Sequence, residues 1–192
     1  MKLSEEQLDA LGEIVNIGVG RAAASLSELL GTRIELRVPR IRIMENSDKH
    51  DTGVAILQSF EGDVSGTALL AFPAVSGQQL AKLVGGYDED EDLPPIELSG
   101  ILSELGNIVL NGVLGSIANV IETDLTYTVP DFFVEKSLES LVTKDATTSE
   151  NATLIADASF SVKSEDIHGS VVLGFELGSL ENLLDCIVSP TP

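Results

Sequence analysis

The stretch Leu8–Leu30, LDALGEIVNIGVGRAAASLSELL, decides how the rest of the chain is read. Leu8, Leu11, Val15, Val19, Ala22, Leu26 and Leu29 recur at steps of three and four, which lines one face of an α-helix with apolar side chains. A second stripe, Asp9, Glu13, Asn16, Gly20, Ala23 and Ser27, runs at the same steps and is polar or small throughout. Asn competes with the helix backbone for hydrogen bonds, and two glycines, Gly18 and Gly20, follow it. A helix that only fills a core has no need of that stripe.

The pattern returns from Leu102 as LSELGNIVLNGVLGSIANVI. Glu13 and Glu104, Asn16 and Asn107, and Pro39 and Pro130 are each separated by 91 positions. Leu11/Leu102, Ile17/Ile108, Ser25/Ser116, Thr32/Thr123 and Val38/Val129 match at the same shift. A repeat of this length sets the fold, because each copy is one structural unit.

Outward from the first helix, Ser4 with Gln7 three residues on forms a capping box, and Gly31 is a natural stop. Ile34, Leu36 and Val38 alternate with charges as a half-buried strand that Pro39 ends or bends, since proline cannot donate to a ladder. Residues 54–60 and 65–72 read as an antiparallel hairpin, and Ala74–Val84 as a short helix. The acidic run 87–94, YDEDEDLPP from Tyr87 to Pro95, reads as a linker; its aspartates lack the glycine and closing glutamate of a calcium loop.

After it the plan repeats, with a helix over Glu97–Ile121, a strand over Leu125–Val134 and a polar loop, SLESLVTKDATTSEN. A second hairpin, Ala152–Val162 with Gly169–Leu177, and a helix, Leu180–Val188, follow. GTALLAF at Gly66–Phe72 matches GSVVLGF at Gly169–Phe175 at a shift of 103. Each half thus reads helix, three strands, short helix, with repeats 4–86 and 95–189 inside one domain, 1–192. Such a half cannot cover its own sheet, so the expectation is an α+β fold with a pseudo-twofold internal repeat. One antiparallel-rich sheet would be backed by two long helices that carry the polar stripes on the same exposed side.

Composition narrows the chemistry. With 31 acids against 11 bases the net charge is −20, which repels nucleic acid and anionic membranes. No run approaches the roughly 20 apolar residues of a membrane span, and the N-terminus lacks a secretory core, so a cytoplasmic location is expected. Cys186 is the lone cysteine, in an apolar segment, and His50 and His168 have no partner at ligand spacing. Neither a metal centre nor histidine-based nucleophilic catalysis is expected.

Written out, the repeated pattern is Glu, two residues, Asn, 22 residues, Pro, in both halves. It resembles the motif of the CheC/CheX/FliY phosphatases of bacterial and archaeal chemotaxis, in which Asp or Ser precedes Glu by four positions. Asp9 supplies that residue in the first half, whereas Gly100 stands there in the second, and Ser99 is one residue out of register. The resemblance covers essentially the whole chain. It implies hydrolysis of the aspartyl phosphate of the response regulator CheY at two sites, with no cofactor of the chain's own and Mg²⁺ held by the partner. Asn16 and Asn107 would orient the in-line water, which an amide suits as both donor and acceptor. Glu13 and Glu104 would pair with the regulator's active-site lysine, while Pro39 and Pro130 shape the adjoining strand. Gly100 makes the first site the expected stronger one. CheD is an expected second partner, docking on Leu180–Val188 in preference to Ala74–Val84. A non-catalytic regulator-binding or flagellar-switch module is the alternative, and an enzyme acting on small phosphomonoesters lacks any phosphate loop or catalytic dyad to support it.

Overall fold

The computed structural model describes residues 4–43, 53–142, 153–162 and 165–176, together with Leu184. Helix α1 spans Glu5–Leu30 and opens on the expected capping box: the Gln7 amide donates to Ser4 Oγ (3.2 Å), and the Ser4 amide donates to Gln7 Oε1 (2.8 Å). Gly31 ends it with φ at 62°, a left-handed conformation that glycine adopts without steric cost. Leu11, Val15, Val19, Ala22 and Leu26 are buried as the periodicity requires, but Leu8 and Leu29 at the two ends are exposed. Ile14 and Gly18 are buried instead, because α1 meets a second helix as well as the sheet and its covered face is correspondingly wider.

That second helix, α3, spans Pro95–Val120 and begins on a proline, whose missing N–H costs nothing in a first turn. A Cβ on Gly18 would lie 3.1 Å from Ile117 Cγ1, and one on Gly112 3.5 Å from Ser25 Oγ, so the two helices run antiparallel and close. By length and composition alone α3 is apolar enough to cross a membrane, yet half of that apolar stretch is buried inside the protein. It touches α1, the sheet, and a shorter helix, α2 (Ala74–Gly85), which is capped by Gly86 in the left-handed region. Neighbours on several sides account for its apolarity.

The strands are β1 (Ile34–Leu36), β2 (Arg40–Ile43), β3 (Val54–Gly62), β4 (Gly66–Phe72), β5 (Leu125–Tyr127), β6 (Asp131–Val134), β7 (Thr153–Val162) and β8 (Ile167–Glu176). They form one sheet in the order β1-β7-β8-β4-β3-β5, with β2 also on β7 and β6 also on β3, and every ladder is antiparallel. The first strand of each half therefore pairs with the hairpin of the other half. At the centre Leu69 lies opposite Val172, two residues separated by the 103 positions of the hairpin match.

Two expectations need correction. The strand expected to end or bend at Pro39 resumes beyond it as β2, and the single strand expected over Leu125–Val134 is broken at Pro130 into β5 and β6, giving four strand segments per half rather than three. Before each break the ladder still closes, with Arg37 N donating to Ser159 O and Thr128 N to Ser59 O, both at 3.0 Å. Val38 and Val129 then turn outward, each 83% exposed, and pairing resumes only past the proline. Secondly, part of the expected polar loop is a short helix, α4 (Leu138–Val142). Ser137 Oγ accepts from the Ser140 amide (3.2 Å), and Leu141 is buried against Leu57, Leu69, Ile155 and Val172 on the sheet face away from α1 and α3.

The main core lies between the sheet and the helices α1, α2 and α3; Val54, Ile56 and Phe60 of β3 point into it. The linker's acidic side chains are exposed, but the run is tied at its base. Lys82 Nζ donates to Glu89 O (2.7 Å), and the Tyr87 hydroxyl donates to Glu97 on α3. The expected helix Leu180–Val188 lies outside the described residues apart from Leu184, which is helical and fully buried. Cys186 and His50 are outside them as well.

Candidate active site

Packing of α3 on the sheet builds the second site. Gly106 lies directly on Ile56 of β3: a Cβ there would be 2.4 Å from Ile56 Cγ2. This approach sets the next residue, Asn107, above the site where β3 carries Gln58. Side chains alternate along a strand, so Gln58 shares the helix-facing side with Ile56 and Phe60. It is an amide in an otherwise apolar row, and it is 2% exposed.

Around these residues is an open cavity of about 460 Å³. Its wall on α3 is made by Gly100, Ser103, Glu104, Asn107 and Asn111; Gln58 belongs to its lining, and the strand break Tyr127–Pro130 forms the opposite wall. The sequence-derived residues Glu104, Asn107 and Pro130 thus meet in one place, with Gly100 at its rim. Glu104 is exposed, and Asn107 is half-buried. Burial, and secondarily the nearby Asp124, push the Tyr127 phenol above its ordinary value of 10.0.

An amide network underlies Asn107. Gln58 Nε2 donates to Thr128 O (2.9 Å) and to Asn111 Oδ1 (3.0 Å), and Asn111 Nδ2 donates to Asn107 Oδ1 (3.0 Å). Thr128 is held at both ends, since its Oγ1 also accepts from the Ser59 amide at 3.0 Å. Gln58 and Asn111 were not singled out from the sequence. The available signal was a lone amide inside VAILQSF and an asparagine one turn beyond Asn107 on the same helix face.

At the first site, Asp9, Glu13 and Asn16 are exposed along one face of α1. A Cβ on Gly12 would lie 3.6 Å from Ile41 Cδ1 of β2, which brings the strand break with Pro39 alongside the helix. Asn16 differs from Asn107 in being exposed, and Gly20 stands where the repeat carries Asn111.

Neither site offers a nucleophile activated by a base. Among the described residues no group of three His, Cys, Asp or Glu side chains could hold a metal ion. His168 sits on β8 beside Asp166, its Nε2 3.0 Å from Asp166 Oδ1, with its side chain well exposed to solvent. What the sites present is a carboxylate and an amide one turn apart, suited to gripping a partner and holding a water.

Several known proteins are similar to this chain in sequence or fold. A family model described as CheC-like matches residues 6–43. The CheY-P phosphatase CheC of Bacillus subtilis (strain 168) is 31% identical over 139 residues, 67% of this chain and 66% of that protein. The flagellar motor switch phosphatase FliY of the same organism is 31% identical over 128 residues, 63% of this chain but only 32% of its own length. The chain therefore spans just under two thirds of the first relative and a third of the second. Among solved structures, Thermotoga maritima FliY superposes with a TM-score of 0.73 at 19% identity, covering 100% of both chains. CheX in a complex with CheY, BeF3 and Mg²⁺ from Borrelia burgdorferi gives 0.59 at 16% identity, over 83% of this chain and 95% of that one. With the doubled Glu-x-x-Asn motif, the fold and these relatives in agreement, the chain belongs to the CheC/CheX/FliY family.

Proposed function

We propose that the protein hydrolyses the aspartyl phosphate of CheY at two sites, Glu13/Asn16 with Asp9 and Pro39, and Glu104/Asn107 with Pro130. The observation that carries the reading is the cavity in which Glu104, Asn107 and the Pro130 strand break converge. The relation between the two sites is a pseudo-twofold one. In its favour, the order β1-β7-β8-β4-β3-β5 reads the same from either end when each strand is exchanged for its repeat, and Leu69 opposite Val172 marks the axis.

The chemistry asks little of such a site. Phosphoryl transfer to water proceeds by in-line displacement, and Mg²⁺ in the regulator supplies the charge neutralisation. The asparagine amide donates to one oxygen and accepts from another, so it holds a water on the line of attack. The glutamate, one turn earlier on the same face, pairs with the regulator's lysine and fixes how the helix approaches. Exposed Ile17 and Ile108, each following its asparagine, add apolar contact at the same surface. CheD is proposed to dock on α2, whose Val75 is 70% exposed and Leu83 43% exposed.

The test is the decay of CheY-phosphate with the wild-type protein and with Asn16→Ala/Asn107→Ala. The double variant should return the decay to the regulator's own rate. An unchanged acceleration would overturn the assignment, and a wild-type protein that binds CheY-phosphate without accelerating its decay would favour the adaptor reading.

A further inference from the structure

We propose that Gln58 and Asn111 are positioning residues that set which way the Asn107 amide faces, and that only the second site has this device. The inference rests on the reading of Asn107 as the water-orienting residue. The argument starts from a group that cannot be turned round. A backbone carbonyl only accepts, and Thr128 O lies 2.9 Å from Gln58. The Gln58 atom facing it must therefore be the donor, Nε2. The same nitrogen's other hydrogen reaches Asn111 at 3.0 Å, so the Asn111 atom there is the acceptor, Oδ1. That leaves Asn111 Nδ2 toward Asn107 at 3.0 Å, and the Asn107 atom receiving it is Oδ1. Each amide in the row has its polarity fixed by the one before it.

The consequence falls on Asn107. One lone pair of its Oδ1 is taken, and its second lone pair and both Nδ2 hydrogens are left for the site. An amide free to rotate by half a turn would present the wrong end about as readily as the right one. Gln58 accepts a cost for holding its end of the row. Both acceptors engage its nitrogen, while its buried Oε1 has no hydrogen-bond partner among the described residues.

The first site has no such row. The asparagine's counterpart at the shift of 91 is Gly20, and a side chain built there would meet nothing within 4 Å. In the β7–β8 ladder, Ala158 opposite Val171 takes the place that Gln58 opposite Ala68 has in the β3–β4 ladder. Asn16 has a methyl group and a bare backbone where Asn107 has two amides.

Asn111→Asp tests this in an Asn16→Ala parent, so that only the second site is read. The carboxylate keeps the shape but has no hydrogen to donate, and Asn107 then turns its nitrogen to it. We expect kcat to fall on the order of 10- to 100-fold with KM for CheY-phosphate little changed. As pH drops through the titration of the introduced carboxyl, the protonated acid again donates to Asn107 and accepts from Gln58, and the ratio of variant to parent should climb. Glu104 and Tyr127 face the same cavity in both proteins, so the ratio of variant to parent removes what they have in common. A variant as active as its parent, or one reduced equally at every pH, overturns the proposal.

The row is also read without turnover. The side-chain amide resonances of Asn107 and Asn111 should both move in Gln58→Leu, with the backbone spectrum of α1 unchanged; static side-chain resonances overturn it. An Asn16→Ala parent with no phosphatase activity would count against the functional reading, and the resonances would still decide the row.

Discussion

Gly106 of α3 rests on Ile56 of β3 so closely that a methyl group would stand 2.4 Å from Ile56 Cγ2 and 2.9 Å from its Cβ. Neither atom is the free end of a flexible side chain, so α3 must lift to admit one. Gly106→Ala should destabilise the protein by about 1–3 kcal/mol, as overpacking does. It should also lower activity in an Asn16→Ala background, because Asn107 rides on the same turn. Gly20→Ala is the control: its Cβ meets nothing, and removing a mid-helix glycine stabilises by up to about 1 kcal/mol. Thermal melts of the two variants should shift in opposite directions.

The two single asparagine variants should be unequal. Gly100 in place of a leading acid favours the first site, whereas the amide row beneath Asn107 favours the second. Water placement governs the chemical step, and the leading position lies about two turns from the asparagine, so the row should dominate. Asn107→Ala is expected to remove more than half of the acceleration of CheY-phosphate decay, and Asn16→Ala less. Equal losses would mean that orientation of the amide is not limiting.

Gly100 itself can be corrected. It is exposed on α3 at the cavity rim, and a Cβ there meets no atom within 4 Å. Gly100→Asp restores the acid of the first site's pattern without steric cost. It should raise the activity measured in an Asn16→Ala background, read as an increased rate at subsaturating regulator. Loss of activity there would show that the acid does not belong at this position.

The glutamates should act on binding. Glu13→Gln and Glu104→Gln keep the shape and remove the charge that pairs with a lysine, a loss of about 1–3 kcal/mol for a charge-assisted hydrogen bond. Together they should raise KM for CheY-phosphate roughly tenfold or more, with a smaller effect on kcat. The wild-type KM should rise with ionic strength, and the double variant's should depend on it less.

Both tyrosines should ionise late. Donation to Glu97, with lesser contributions from burial and nearby acids, raises Tyr87; burial raises Tyr127. A phenol whose folded value lies above its unfolded one holds its proton more tightly when folded. Its contribution to stability is therefore complete below pH 10 and disappears as pH climbs through the folded value. Phenolate absorbance should show both residues titrating above 10, and Tyr87→Phe should remove one of the two transitions.

The long helices and the caps of α1 were legible because each is a local pattern: a period, a Ser with Gln at three, a glycine at a helix end. The motif residues were legible for the same reason, since 91 positions separate every pair. Partners across space were not. Periodicity tells which side of Ile34–Leu36 is apolar, but not that its neighbour is β7 from the other half. Gly18 looked like a departure from helix propensity and is instead a point where α1 lies close on the side chains of α3. Gln58 was hidden because a buried amide in a strand acquires meaning only from the carbonyl at Thr128, 70 residues away.

The exchange of edge strands has a mechanical consequence. β1 and β2 lie on β7 of the later half, while β5 and β6 lie on β3 of the earlier one, so the halves are laced through each other like clasped hands. The exposed acidic stretch between α2 and α3 is then dispensable as a tether. A chain nicked by protease within 88–92 should stay associated under native conditions, separate only in denaturant, and hydrolyse as the intact protein does, because the sheet holds the fragments together and the second site joins Gln58 of one fragment to Asn111 and Thr128 of the other.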